Sequence, residues 1–364
     1  MHVLHVVGAR PNFMKAAPLL RALRSYSEVR QTLVHTGQHY DAAMSEVFFQ
    51  QLDMPAPDFN LGVGSGSQAH QTAAVMSAIE PVLLDQKPDL VLVYGDVNST
   101  VAAALACSKL NIPVAHVEAG LRSGDRSMPE EINRLVTDQL ADMLFTPSPD
   151  GDENLLREGI ASARIHRVGN VMIDTLVHLL PRAEKEFPSD IPQPYALVTL
   201  HRPSNVDDLP WLQEMLAALA QLSSQLHVVF PVHPRTRQRL QVLPSFAASN
   251  GNFRLTEPLP YLQFLALQQR AALVITDSGG IQEETTFLAV PCLTVRENTE
   301  RPITIRLGTN QLVGRDVKRL RSAAEGILRG ELSGSRTQTT IPLWDGHAAE
   351  RIAQIIMRAQ PFNG

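Results

Sequence analysis

From end to end, short β-branched apolar runs alternate with stretches that read as helix, and this alternation leaves few folds open to the chain. In the first half the strand candidates are Val3–Val7, Gln31–His35, Leu90–Tyr94, Val114–Val117, Met143–Thr146 and Ile165–Val168. Helical stretches such as Pro18–Leu23, Ala69–Leu84, Thr100–Lys109 and Ile132–Ala141 fall between them. The second half repeats the scheme with Ala196–Leu200, His227–Pro231, Arg254–Thr256, Leu273–Thr276 and Cys292–Val295. Strands that are apolar on both faces need cover on both faces. Parallel sheets layered with helices provide it, so the class is α/β. A chain of 364 residues, at roughly 150 residues per domain, makes two such domains. Proline and charge cluster over Leu180–Pro194 (LPRAEKEFPSDIPQP), the expected connection between them. A final helix, His347–Ala359, can dock on either half. The cleft left between two α/β halves is a favoured ligand site.

Bulk properties narrow the partners. Lys and Arg total 32 against 37 for Asp and Glu, a formal net charge of -5. That balance argues against nucleic acid or an anionic membrane, yet a few convergent cations still suffice for a small anion. The two cysteines, Cys107 and Cys292, stand far apart in apolar contexts without ligand spacing, so they read as buried reduced thiols. The strand over residues 2–7 leaves no room for a signal peptide before it, and no apolar run reaches the length of a membrane span. The expectation is a soluble cytoplasmic protein.

Chemistry concentrates between Tyr94 and Arg134, which reads YGDVNST, then HVEAGLRSGD, then MPEEINR. Asp96, Glu118 and Glu130 lie in or just past apparent strand ends, the side on which open α/β sheets bind ligands. Asp96 has a bland alternative as a cap for the helix that begins near Thr100. Glu130, like Glu131, follows Pro129 at a helix start, where acids suit the dipole in any case. Glu118 has no such alternative, because it breaks an apolar strand ahead of Ala119–Gly120. As a set the acids point to proton transfer on a small molecule.

Two stretches suit an anion. GARPNFMK places Arg10 and Lys15 near a helix start after a strand, where backbone amides and cations can hold an anion. TDSGGIQEE follows another strand. Its Ser278, Gly279 and Gly280 let backbone amides approach a pyrophosphate, with Glu284 about one turn beyond, in reach of sugar hydroxyls. An ordinary capping turn needs only one Ser or Asp, and the paired glycines go beyond it. His201 and Arg202 (VTLHRPSN), His233 (FPVHP) and Arg301 (RENTERP) sit at further strand ends or turns, and His201 can bridge phosphates or steady a leaving group. No GxxxxGK[ST] occurs, and Gly62, Gly64 and Gly66 miss the GxGxxG spacing, so neither P-loop phosphoryl transfer nor a dinucleotide cofactor has support.

In family order, GARPxxxK, HTGQHYD, GDVNST, HVEAGLRS, PEEINR, HR, DSGGIQEE and TERP cover essentially the whole chain. It resembles the non-hydrolysing UDP-N-acetylglucosamine 2-epimerases. The resemblance implies two Rossmann-like domains in a GT-B arrangement, with the active site in the interdomain cleft. The first domain would span residues 1–170 plus a C-terminal helix at about 347–364, and the second, UDP-binding domain residues 171–346. It further implies a homodimer, a UDP-sugar substrate, and no metal or other cofactor. By motif, Asp96, Glu118 and Glu130 would be the acid–base group. Arg10 and His201 would contact phosphate, Ser278–Gly280 would form the pyrophosphate turn, Glu284 would meet the ribose, and Arg301 would make a further nucleotide contact.

Departures from the family pattern matter as well. Many bacterial members read GTRPE for GARPN and HRRE for HRPS, and carry Arg where Tyr40 follows Gln38 and His39. That segment lies near a site where bacterial members bind an activating second substrate, which makes Gln38 and His39 the allosteric candidates. The GARP, HTGQHYD and MPEE combination also resembles relatives acting on UDP-2,3-diacetamido-2,3-dideoxyglucuronate. A hydrolysing epimerase, a GT-B glycosyltransferase and a nucleotide-sugar-binding regulator are the remaining alternatives, since fold alone does not separate them.

Overall fold

The computed structural model describes residues 1–38, 49–243, 251–331 and 341–359, and divides the chain into two units. One unit comprises Met1–Leu176 with Pro342–Gly364, the other Val177–Ile341.

The first unit is built on seven parallel strands: β1 (His2–Val7), β2 (Arg30–His35), β3 (Phe59–Asn60), β4 (Leu90–Tyr94), β5 (Val114–Val117), β6 (Met143–Thr146) and β7 (Ile165–Arg167). Their order across the sheet is β3-β2-β1-β4-β5-β6-β7. The second unit has six parallel strands: β8 (Tyr195–Thr199), β9 (His227–Pro231), β10 (Phe253–Thr256), β11 (Leu273–Thr276), β12 (Cys292–Thr294) and β13 (Asn310–Leu312). Here the order is β10-β9-β8-β11-β12-β13. Both sheets are therefore parallel and sandwiched by helices, the α/β class expected from the alternation.

Burial explains why the apolar runs became strands. Every residue of β4 (LVLVY) is buried, because helices cover both faces of the sheet. The helix Asn98–Leu110 lies on it through Ala103, Ala104 and Cys107. In the second unit Val198, Phe230, Ile275 and Leu293 meet Leu212, Met215 and Leu219 of the helix Leu209–Leu222. The strands absent from the sequence reading are β3 and β13, two and three residues long at sheet edges. Too short to show alternation, they owe their existence to a neighbouring strand.

The expected connection at Leu180–Pro194 starts inside a helix, Val171–Ala183. Its buried stripe of Ile173, Leu176, Leu179 and Ala183 carries it past Pro181. The last helix, Ala348–Arg358, belongs to the first unit and packs on the helix Arg10–Leu23. Ile352, Ala353 and Ile356 are buried there. Its own N-cap residue supplies no side-chain cap; Asp174 instead accepts from the amides of Ala348 (3.1 Å) and Ala349 (2.7 Å).

In each sheet the strand order reverses once, between β1 and β4 and between β8 and β11. Outside the carboxyl ends of strands at such a reversal, diverging loops open a crevice in which α/β proteins bind ligands. Among the residues that follow those four strands are Arg10, Asp96, His201 and Ser278, singled out by sequence.

Candidate active site

At the first reversal the exits of β1 and β4 are stitched together. Asn12 accepts from the amides of Gly8 (3.0 Å) and Ala9 (3.1 Å) and donates to the Tyr94 carbonyl (2.7 Å). One turn further along the same helix, Lys15 is buried against Glu118, which leaves the end of β5. Only a glycine fits beneath this pair. A Cβ on Gly95 would lie 2.5 Å from Lys15 Nζ and 3.1 Å from Glu118 Oε2. Glu118 itself has a φ of 74°, rare for a residue with a side chain. The amides of Glu118 and Ala119 both donate to the Phe145 carbonyl, at 3.1 and 3.0 Å, and hold that turn. Backbone strain of this kind clusters at functional sites because the surrounding structure must be built to hold it.

Asp96 does not cap the helix that follows it; Val97 holds the N-cap position without a side-chain bond. The Asp96 carboxylate instead pairs with Arg134. The turn carrying it is fixed by Asn133, which donates to the Asp96 carbonyl (2.9 Å), and by His116, whose Nε2 lies 2.8 Å from the Gly95 carbonyl. His116 Nδ1 is 2.6 Å from buried Asp138, which also accepts from Arg122 (2.7 Å). Burial opposes ionisation of Asp138, but the charges of His116 and Arg122 outweigh it and hold the carboxyl below its ordinary value.

The two neighbouring glutamates of MPEE differ in kind. Glu131 is buried, accepts from the amides of Ser123 (2.9 Å) and Gly124 (2.9 Å), and pairs with Arg134 at 2.5 Å. Burial pushes its pKa up, and these bonds more than offset it, leaving the group below its usual range. Glu130 is half-buried and makes no hydrogen bond or ion pair among the described residues. The second acid thus anchors the loop.

Two of the sequence candidates have side-chain partners within the first unit. Lys15, read from sequence as an anion-site cation, faces Glu118, whereas Arg10 is exposed. The Gln38 side chain accepts from the amide (3.2 Å) and hydroxyl (2.7 Å) of Ser99, in the first turn of the helix that follows Asp96. His39 lies outside the described residues.

At the second reversal β8 leads into His201 and Arg202, and β11 into Asp277 and Ser278. Asp277, missed by sequence reasoning, is fully buried and joins the two exits. It accepts from the amides of His201 (3.0 Å) and Arg202 (2.9 Å) and from Asn205 Nδ2 (3.1 Å), and pairs with His201 Nδ1 at 2.9 Å. Burial opposes its charge, yet the bond to His201 and the others keep its pKa below the ordinary value. The His233 ring lies 5.7 Å from that of His201. Burial, then the neighbouring His201 charge, lowers the His233 pKa.

Ser278 stands at the N-cap of the helix Gly279–Phe287 without a side-chain cap bond, so the ordinary capping turn is not made. A Cβ on Gly279 would lie 2.7 Å from both Arg301 Nη1 and Glu300 Oε1, whereas Gly280 faces open space. Uncapped amides beside an unobstructed glycine are what close approach of an anion requires. Glu284 is buried and accepts from the Tyr261 hydroxyl (2.8 Å). Arg301 is buried between Glu300 (2.5 Å) and Glu283 (2.9 Å). Tyr261 carried no sequence signal, and Glu283 and Glu300, though they lie in DSGGIQEE and TERP, were not singled out, because each acts through a partner brought close by folding.

An α/β enzyme of acid–base chemistry on an anionic ligand is the class these two switch points define. Acids gather at one, and an imidazole and a glycine turn at the other. Comparison with known proteins is more specific. The family model described as UDP-N-acetylglucosamine 2-epimerase matches residues 21–357, and the chain belongs to that family of isomerases. The UDP-N-acetylglucosamine 2-epimerase of Methanocaldococcus jannaschii is 42% identical over 96% of this chain and 97% of its own. Its crystal structure in complex with UDP-GlcNAc and UDP matches with a TM-score of 0.88 at 41% identity, covering 99% of this chain and 100% of that one. The UDP-2,3-diacetamido-2,3-dideoxy-D-glucuronate 2-epimerase of Pseudomonas aeruginosa is 40% identical over 98% of this chain and 100% of its own.

Proposed function

We propose that the chain interconverts UDP-N-acetylglucosamine and UDP-N-acetylmannosamine without net hydrolysis. The observation that carries this reading is Glu118, a buried acid held in a rare backbone conformation at the first switch point. Full-length likeness to an epimerase solved with UDP-GlcNAc and UDP supports the substrate. A base takes the proton from carbon 2, the electron pair forms the C1–C2 double bond, and the C1–O bond to UDP breaks. The products held on the enzyme are 2-acetamidoglucal and UDP. Protonation of carbon 2 from the opposite face and return of the UDP oxygen to carbon 1 give the epimer.

Asp96, Glu118 and Glu130 form the acid–base group, because two faces of one carbon need more than one proton-transfer group. Arg10, Arg202, His201, His233 and the Ser278–Gly280 turn hold phosphate, while Glu284 and Arg301 serve the nucleoside end. The enzyme works as a cytoplasmic homodimer supplying an activated sugar for cell-envelope polysaccharide; family membership is the support.

A second substrate is favoured by one observation: the Pseudomonas aeruginosa relative is nearly as similar as the archaeal one. Incubation in heavy water with each UDP-sugar separates the two. Deuterium at carbon 2 of both epimers of UDP-N-acetylglucosamine supports the main reading. Exchange only with the diacetamido uronate moves the substrate, and free N-acetylmannosamine with stoichiometric UDP makes the enzyme hydrolytic.

A further inference from the structure

The second switch point holds two imidazoles whose protons are fixed differently, and neither arrangement follows from the motifs. His201 Nδ1 lies 2.9 Å from Asp277 Oδ1. A carboxylate only accepts, so that nitrogen carries a proton. No described residue hydrogen-bonds Nε2 at the other end of the ring, and 40% of the side chain is exposed. His233 is the reverse case. Its Nδ1 accepts from the Arg235 amide at 3.2 Å, which leaves its proton on Nε2.

Asp277 is shaped to do this and little else. Fully buried at the end of β11, it takes two backbone amides, the Asn205 amide and the His201 ring. Those donors fix the carboxylate before the ring is placed, and the ring is then fixed by the carboxylate. The backbone bonds to His201 and Arg202 also set the start of the loop that carries the imidazole. The charged and titratable groups around the ring are Asp277 beneath it, His233 beside it, Arg202 next in the chain and Arg235 beyond His233.

We propose that Asp277 is a positioning residue that holds the Nδ1 proton of His201 and so turns Nε2 towards the diphosphate of the bound UDP-sugar. This rests on the function proposed above. When the C1–O bond breaks, negative charge builds on the departing phosphate oxygen. The ring takes a second proton from solvent onto Nε2 as the anionic diphosphate binds. Nε2–H then donates a hydrogen bond to that oxygen, and the ionised Asp277 stabilises the doubly protonated ring. His233 contributes a fixed N–H donor alongside. Asp277 touches no reacting atom and acts through His201.

The test reads the tautomer first, because it needs no substrate. In the 15N-labelled full-length protein, long-range proton–nitrogen correlation should show the neutral His201 ring protonated at Nδ1. A ring protonated at Nε2 overturns the proposal. In Asp277→Asn, kcat should fall roughly 100-fold or more, with KM changed far less and the pH dependence of kcat displaced. Asn205→Ala, which removes one donor but leaves the carboxylate, should keep the wild-type pH profile. An Asp277→Asn enzyme with wild-type kcat and pH profile overturns the positioning role. Should that variant not fold, the wild-type tautomer and its response to added UDP decide the matter. Shifts at Nε2 with Nδ1 still protonated uphold the proposal, and no response at saturating UDP sinks it. A wild-type chain that turns over neither UDP-sugar overturns the proposed function, while the Nδ1 tautomer still upholds Asp277 as the group that orients the ring.

Discussion

At the scale of single residues, the acids of the first unit are distinguished by what holds them. Glu118 faces Lys15 in a buried pair, Asp96 pairs with Arg134, and Glu130 has no partner among the described residues. Glu118→Gln should lower carbon-2 exchange by roughly 100-fold or more while UDP still binds. Normal exchange in that variant removes Glu118 from the acid–base group. Glu130→Gln and Glu131→Gln should fail in opposite ways. The first leaves stability within about 0.5 kcal/mol but loses exchange. The second costs about 2–3 kcal/mol, because it leaves the buried Arg134 guanidinium and loop amides short of an acceptor. Urea denaturation beside an exchange assay reads both, and equal stabilities would refute the division. Sequence showed Glu118 as a break in an apolar strand but could not separate the paired glutamates of MPEE. Burial decides between them, and burial is a tertiary property.

His5, in β1, adds a pH dependence at the same scale. It is fully buried with Nδ1 2.6 Å from the Tyr94 hydroxyl. Burial disfavours the charged ring and lowers its pKa from 6.5 to about 3. Between those values the unfolded chain binds a proton that the folded one refuses. Stability therefore falls as pH drops from about 6.5 towards 3, by up to about 1.4 kcal/mol per pH unit from this group. Denaturation midpoints for His5→Gln should show a shallower slope over that window. An unchanged slope would assign the acid sensitivity elsewhere.

Elements show a second kind of dependence, in which one element completes another. The helix Ala348–Arg358 has no side-chain cap of its own and borrows Asp174 from the helix Val171–Ala183. Asp174→Ala should cost about 1–2 kcal/mol, the range of a lost N-cap. Hydrogen exchange should then rise first in the last helix; protection unchanged there would refute the capping role. The helix itself was legible from the sequence, and so were eleven strands, most of whose runs are buried. The missed edge strands β3 and β13 are two and three residues long, below the length at which a pattern exists.

For the whole molecule, the chain returns at its end to the unit in which it began. Removing residues 342–364 would uncover the apolar face of the helix Arg10–Leu23, which also carries Lys15. Two units need not melt as one. Calorimetry of the truncated chain should show the first unit destabilised and the second unchanged. A loss shared equally by both would contradict the division.

The sequence by itself determined the parallel α/β class and, apart from the short edge strands β3 and β13, about where along the chain the strands would end. It also set which residues stand at those ends, because apolar periodicity and glycine turns are local properties written over a few residues. Only the tertiary structure decided which charges face each other. Lys15 and Glu118 are 103 residues apart, and His201 and Asp277 are 76. His201 and Asp277 meet because β8 and β11 lie side by side, and Lys15 reaches Glu118 across β4, which lies between β1 and β5. Strand order is set by how each sheet buries its own faces under its helices, and no local pattern encodes it.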